Sequence, residues 1–297
     1  MKKDKKIFFG FTREDLKKNK LLLLSAVIMY MAFPFIVIGI VCSTLGTGAG
    51  TILMVLGILC VPASFAVLAV CHMKYFIKYK QTVEKTLKNH DPYLKYEYHL
   101  NPEEDAALSD ILHDNFYFAN DICTFQNHIE DEADGTGYES IDLEVDNLHK
   151  STKSGIARLF TGKIYKIGLA PDFDFIIKHG NSDCKAKLMP VNFGVTDYGA
   201  FADNEISANE YFDERFIDAF NELLRELNCK ITVCHTENTL LVLLDNGEKQ
   251  FDSFLEDDEK LIIDEYEKQL ETAKKLIALF SDAADNGLSA KKEDMHE

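Results

Sequence analysis

Residues 21–71 form a run of 51 positions without a single Asp, Glu, Lys or Arg. A helix needs roughly 20 apolar residues, at about 1.5 Å of rise each, to cross about 30 Å of hydrocarbon, so the run holds two spans and a turn. Nothing comparable follows. The segment predicts a membrane protein with two helices near one end, and the rest of the chain must be a domain tethered to them.

The reversal is expected at Ser43-Thr44-Leu45-Gly46-Thr47-Gly48-Ala49-Gly50, where glycines alternate with small residues and free the backbone for a tight turn. That places the spans at 21–42 and 51–72. Eight Lys/Arg residues precede them within 1–20, and Lys74, Lys78, Lys80, Lys85 and Lys88 follow, whereas the turn carries no charge. The flanks predict that both ends are cytoplasmic, in an inner or plasma membrane. A cleaved signal peptide fits poorly, because the first apolar stretch is long and a second follows at once, so the N-terminus should stay attached.

Pro34 and Pro62 sit near the middle of their spans and are expected at similar depth, either as a shared kink or as prolines that the membrane environment tolerates. Gly46 and Gly50 have GxxxG spacing but fall in the turn, where no packing role is expected. Gly39, Gly57, Ala63, Ser64 and Ala66 offer close-packing surfaces beyond what one hairpin uses, which predicts a homo-oligomer. Neither span carries an ionisable group of the kind a proton relay or ion path requires, so transport by a monomer is not expected.

The formal charge of -17 is divided unevenly: residues 1–20 carry +5, residues 72–95 carry +4, and residues 96–297 carry -26. The basic collar is suited to anionic lipid headgroups, and the acidic domain is repelled by the same surface. That balance argues against nucleic acid, whose binding needs Lys and Arg to neutralise phosphates, and leaves basic proteins or divalent cations as better partners, beside the plainer reading of a solvated acidic face. The seven cysteines follow no disulfide or metal-ligand spacing and are read as free thiols in a reducing compartment.

The domain organisation expected is a basic terminus over 1–20, a hairpin over 21–72, a basic juxtamembrane helix over 73–95, an acidic α+β domain over 96–288 and a disordered tail over 289–297. Within the domain, Asn101-Pro102-Glu103-Glu104 is a helix start, with a capping side chain, a proline at the first helical position and acids at the positive end of the dipole. That helix is expected to reach Asn120. Short β-prone stretches at 122–128, 139–145, 159–169 and 173–178, separated by Asp, Gly and Asn, predict an antiparallel meander. Helical spacing of Phe212, Phe216, Phe220, Leu223, Leu224 and Leu227 predicts one helix over 212–227. Residues 230–236 and 239–245 read as a hairpin around Glu237-Asn238. A last helix is expected from Ser253, with Glu256 completing its capping box, to Ala284, where Asn286-Gly287 stops it.

The order of these pieces resembles an uncharacterised bacterial family of membrane proteins, a domain of unknown function with paired N-terminal spans and a cytosolic α+β domain. The resemblance covers most of residues 20–255. It is carried by Leu159-Phe160-Thr161-Gly162-Lys163-Ile164-Tyr165, by the helix over 212–227 with the hairpin after it, and by Phe251; Ser207-Ala208-Asn209-Glu210 departs from an Ala-Arg pair usual in the family. The resemblance implies architecture and no activity.

Few residues suggest chemistry. Glu130, Glu132 and Asp134 before Gly135 begin like a calcium loop, but its twelfth position is Ile141 rather than a bidentate Glu, so an acidic β-turn is the better reading. The acids from Asp252 to Glu259 are explained by helix initiation. Cys229, Cys234 and His235 form the closest soft-ligand group, yet adjacent strand residues point to opposite faces, which predicts a buried Cys234 and an exposed His235 with no shared zinc. Cys123 and His128 need distant partners. No nucleotide-binding, nucleophile-elbow or zinc-protease motif is present, so no catalytic residue, metal ligand or cofactor is assigned. The expectation is a membrane-anchored sensor, adaptor or assembly scaffold. A ligand-gated effector that clusters its hairpins, favoured by a concave polar pocket, and a tethered enzyme, favoured by convergent Cys, His and Asp side chains, are the alternatives.

Overall fold

The computed structural model describes residues 20–46, 48–117, 121–152, 155–169, 171–180, 188–236, 239–247 and 259–294. The chain divides into two compact units, one through Thr82 and the other from Val83 onward. The basic terminus over 1–19, Cys184, the 237–238 loop and the capping box at Ser253 and Glu256 lie outside the described residues.

The first unit is a helical hairpin. Helix α1 (Lys20–Thr44) and helix α2 (Gly48–His90) are joined through a turn in which Gly46 has φ +76°. Leu23–Thr44 and Gly48–Cys71 are each long and apolar enough to cross a membrane. Their outer faces are uncovered by protein: Phe33 is 73 % exposed and Ile52 is 64 % exposed. The inner seam is backbone against backbone. A methyl at Gly57 would lie 2.7 Å from Cγ1 of Ile36 and 2.9 Å from the Ala32 carbonyl oxygen, and Gly39 and Gly50 are as tightly faced by Met54 and Ser43. Ser25 and Ser64 close the other end reciprocally, each hydroxyl donating to the other's carbonyl at 3.0 and 3.2 Å.

This seam corrects two expectations and divides the small residues of a third. Gly50 packs helix on helix rather than serving the turn, because α2 starts at Gly48 and Gly50 is already buried against Ser43. Pro34 is level with Gly57, not with Pro62, because Gly57 faces Ala32 and Ile36; the two prolines are separated by about 8 Å of helix rise. Gly39, Gly57 and Ser64 are consumed within the hairpin, which leaves Ala63 and Ala66 exposed on its outside.

The second unit is α+β. Its strands β1 (Lys95–Glu97), β2 (Asp121–Ala133), β3 (Thr136–Thr152), β4 (Gly155–Ile167), β5 (Phe175–His179), β6 (Met189–Val191), β7 (Tyr198–Ala202), β8 (Lys230–Thr236) and β9 (Thr239–Asp245) make one antiparallel sheet. The order is β1-β2-β3-β4-β9-β8-β5-β7-β6, so the β8–β9 hairpin, late in the chain, joins the β1–β4 meander to the three remaining strands. Four helices accompany it besides the end of α2: α3 (Pro102–Asn115), α4 (Glu205–Tyr211), α5 (Glu214–Leu227) and α6 (Glu259–Asp294).

Both faces of the sheet are covered, and the two-residue period of the strands divides its side chains between two cores. One core includes Ile141, Leu143, Phe160, Ile164 and Leu241 with Leu108 and Leu112 of α3. The other gathers Tyr165, Phe175, Val233 and Val242 with α4, α5 and α6, and its centre is aromatic: Phe220 is fully buried among Phe193, Tyr198 and Phe216.

Asn101 caps α3 as expected, accepting from the Glu103 and Glu104 amides, and β8–β9 have the expected bounds. Elsewhere the boundaries move. Helix α3 ends at Asn115 because Phe116 and Tyr117 turn back to donate to the Leu112 carbonyl. The helix expected over 212–227 is α5, which starts at Glu214 because Asp213 caps it by accepting from the Phe216 amide; the short helix α4 before it, ended by Phe212, was not expected. Helix α6 does not stop at Asn286-Gly287 but continues to Asp294, into the segment expected to be disordered. One glycine costs a helix only about 1 kcal/mol relative to Ala, and Leu-Ser-Ala-Lys-Lys-Glu after it favours helix.

Candidate functional site

The polar chemistry of the domain collects where α6 crosses the sheet. In β2 a bulge between Gln126 and Ile129 puts Asn127 at φ 51°, and its buried side chain accepts from the Tyr96 hydroxyl at 2.9 Å and donates to Asp142 Oδ2 at 2.8 Å. Asp142 of β3 is directly opposite Lys163 of β4, whose Nζ donates to its Oδ1 at 3.1 Å. Burial pushes the Lys163 ammonium below the ordinary lysine range, and the Asp142 carboxylate opposes that shift without cancelling it. The result is a buried, charge-compensated pair with both carboxylate oxygens engaged.

Lys163 is followed on the same face by Tyr165, and the two open onto a cavity of about 240 Å³. Its walls are β4, the α5–β8 turn, the end of β9 and one face of α6, contributed by Leu227, Asn228, Cys229, Leu244, Asn246, Glu265, Lys268, Gln269 and Thr272. Two backbone features create it. Gly162 lets the Leu244 carbonyl descend onto β4 where any Cβ would collide, and the β4–β9 ladder begins just beyond, at Lys163 opposite Leu244. Asn228 ends α5 in the left-handed conformation at φ 47°, which turns the chain sharply into Cys229 and β8.

The groups at the cavity differ in how they are satisfied. Tyr165 and Thr272 are hydrogen-bonded to each other, burial holds the Tyr165 phenol protonated, and Thr272 donates to the Lys268 carbonyl at 2.9 Å. Burial pushes the Cys229 thiol up to about 11, so it is a neutral wall group and not a thiolate. Gln269 is 2 % exposed, and neither its amide nitrogen nor its amide oxygen has a hydrogen-bond partner.

The residues singled out by sequence do not converge. Asp134 and Gly135, both at positive φ, are the two-residue turn between β2 and β3, so the acidic run is a hairpin turn. Glu130 pairs with Lys95 at 2.6 Å, whereas Asp131 points inward and accepts from the Tyr138 and Tyr266 hydroxyls. Cys234 is buried, but His235 is buried too, contrary to expectation: the sheet is covered on both faces, and His235 stacks on Phe175 with Nδ1 2.8 Å from the Phe173 carbonyl oxygen. Cys123 is 3.9 Å from His113 Nε2 rather than near His128, and burial pushes its thiol up to about 11, which leaves it a poor nucleophile. His128 pairs instead with Glu139 at 3.2 Å. Among the described residues no three His, Cys, Asp or Glu side chains are grouped to hold a metal, and the six described cysteines are free.

The cavity was absent from the sequence reading. Its signal was Lys163 between Gly162 and Ile164 in a β-prone stretch, with Asp142 in the strand before: opposite charges placed to pair across a ladder.

No family model matches the chain, and no curated protein matches it. Among solved structures, the mycobacterial trehalose monomycolate transport factor A, TtfA, is similar over 68 % of this chain and 95 % of that one, at 10 % identity and a TM-score of 0.38. A likeness of that size carries no argument.

Proposed function

We propose that the chain is a membrane-anchored sensor, adaptor or assembly scaffold, held in an inner or plasma membrane by its helical hairpin with both ends in the cytoplasm. The observation that carries this reading is the apolar outer surface of α1 and α2, which no part of the hairpin covers and which water does not tolerate at that extent. The basic residues on both flanks of an uncharged turn support the orientation. Full-length protein is expected to stay with membranes through alkaline carbonate and to be released by detergent. A cysteine replacing Thr47 should react with an impermeant thiol reagent in intact cells, and one replacing Ser289 should not; release by carbonate, or labelling at Ser289, defeats the reading.

Self-association belongs to the same proposal. Ala63 and Ala66 are small and exposed on the outside of the hairpin, so they are the surface through which copies pack. Crosslinked ladders in native membranes should weaken when both become Leu. The cavity under α6 favours a second reading, the ligand-gated effector, in which a small molecule bound in the domain sets how copies assemble.

A further inference from the structure

We infer that the cavity between α6, β4 and the end of β9 binds a small neutral molecule presenting a hydrogen-bond donor and acceptor side by side in one plane, read by the Gln269 amide. A carboxamide and a lactam edge, as in a nucleobase, share that chemistry. The inference rests on the sensor reading above for its purpose, but its evidence is local to the domain.

Helix α6 meets the sheet through Ile262, Tyr266, Gln269, Ala273, Leu276, Ile277 and Phe280, an inward stripe at helical spacing in which Gln269 stands where an apolar residue would pack. A glutamine there loses its water on both amide atoms and gains no protein partner, although the nearby polar groups of Lys163, Tyr165 and Thr272 are engaged. Such a residue weakens a fold that needs it only for packing. Beside a cavity it has another use. The terminal amide torsion is soft, so the nitrogen and oxygen can turn together towards a guest that returns one acceptor and one donor. Lys163 Nζ, with one N–H bonded to Asp142, has further donors for the guest's carbonyl.

Charge selects a neutral guest. Lys163 is compensated by Asp142, Glu265 and Lys268 oppose each other at the exposed edge, and a domain carrying -26 repels anions. A cation finds no buried carboxylate with an oxygen to spare, since Asp142 uses both. At about 240 Å³ the space equals roughly eight water volumes, room for a nucleobase or a compact amide, with Leu227, Leu244 and the Tyr165 ring as its apolar wall.

The test uses the full chain in detergent micelles, with uracil as the lactam probe, acetamide as the carboxamide probe and acetate as a planar anion without a donor, read by calorimetric titration and thermal unfolding. Uracil or acetamide should bind, whichever does naming the source, and should raise the melting temperature by roughly 5–10 °C at a hundredfold excess over Kd. Gln269→Met, similar in shape without the amide, should lose that binding and melt about 2–4 °C higher than wild type when no probe is present. Gln269→Glu, which keeps the shape and removes the donor, should bind at least tenfold more weakly. The inference is overturned if neither probe binds, if acetate binds as well as either, or if both variants bind as wild type. A lower melting temperature for Gln269→Met also overturns it, since the amide would then be a structural group. Membrane retention is unaffected by any of these results, so they leave the anchoring reading separate.

Discussion

The hairpin and the sheet domain solve opposite problems. In the hairpin the apolar side chains face outward and the contact between helices is made by what is missing: glycines at 39, 50 and 57 that bring backbones together, and one reciprocal pair of serines. In the domain the large side chains face inward, an aromatic core fills one side of the sheet, and polar groups are buried as a connected chain from Tyr96 to Lys163. Helices surrounded by hydrocarbon gain nothing by hiding leucine, so close approach and hydrogen bonds must join them; a domain in water is held by hiding phenylalanine. The same residue type therefore carries different weight in the two units, and substitutions measure that difference.

The largest effect is expected from Gly57→Leu, which forces a side chain into Ile36 and the Ala32 backbone and should abolish the α1–α2 seam, read as loss of crosslinking between cysteines replacing Ser25 and Ser64, whose hydroxyl oxygens are 3.4 Å apart across it. An intact seam would mean that hairpin contact does not depend on close approach. In the domain, Phe220→Ala should cost about 3–5 kcal/mol in thermal or urea unfolding, by the loss of transfer free energy and the cavity left among Phe193, Tyr198 and Phe216. A cost below about 1 kcal/mol would show that this core collapses as readily as a loosely packed one.

Acid provides a smaller test. Burial lowers the His235 pKa from the ordinary 6.5, although the Phe173 carbonyl, Asp174 and Asp203 pull the other way. The unfolded chain then takes up the proton first, so stability is complete above pH 6.5 and declines as the pH falls from there through the folded-state value. His235→Gln should flatten that part of the stability–pH curve, and an unchanged slope would assign it to other groups. Smallest is Ser64→Ala, which removes one side of the serine pair and should weaken the hairpin by about 0.6 kcal/mol in a reversible unfolding assay in detergent, with little change in the domain.

Legibility in the sequence followed the same division. The uncharged run located both apolar helices, each long enough to cross a membrane, because so strong a bias needs no tertiary context to be read, and Asn101-Pro102 and the 230–245 hairpin were readable because their signals are local. Strand β7, Tyr-Gly-Ala-Phe-Ala, escaped notice because small residues carry no β-preference, yet its Tyr198, Ala200 and Ala202 alternate inward. Asp213 was the unread sign that α5 begins at Glu214 rather than at Phe212; the apolar spacing continued across it because Phe212 and Phe216 enter one core. His235 looked solvated only because a sheet covered on both faces is indistinguishable, within one strand, from a sheet with one wet face. The cavity was least readable, since Lys163, Asn228, Asn246 and Gln269 come from four separate elements and meet only once α6 has docked.

The position of the β8–β9 hairpin at the middle of the sheet governs how the protein is made. Strands β1 to β4 are complete once Ile167 has been synthesised, and β5, β6 and β7 once Ala202 has, but β5 has no neighbour in β8 until Thr236 leaves the ribosome and β4 none in β9 until Asp245 does. Through that interval the emerging chain holds β4 and β5 as open edges, each able to pair with a strand from another chain. The hairpin precedes all of this, and if it enters the bilayer early, each nascent domain is confined to its own patch of membrane. Tethering then protects the sheet during its most vulnerable stage, and a chain stripped of residues 1–82 is expected to give a lower yield of folded protein in cell-free synthesis than the whole chain made in the presence of lipid.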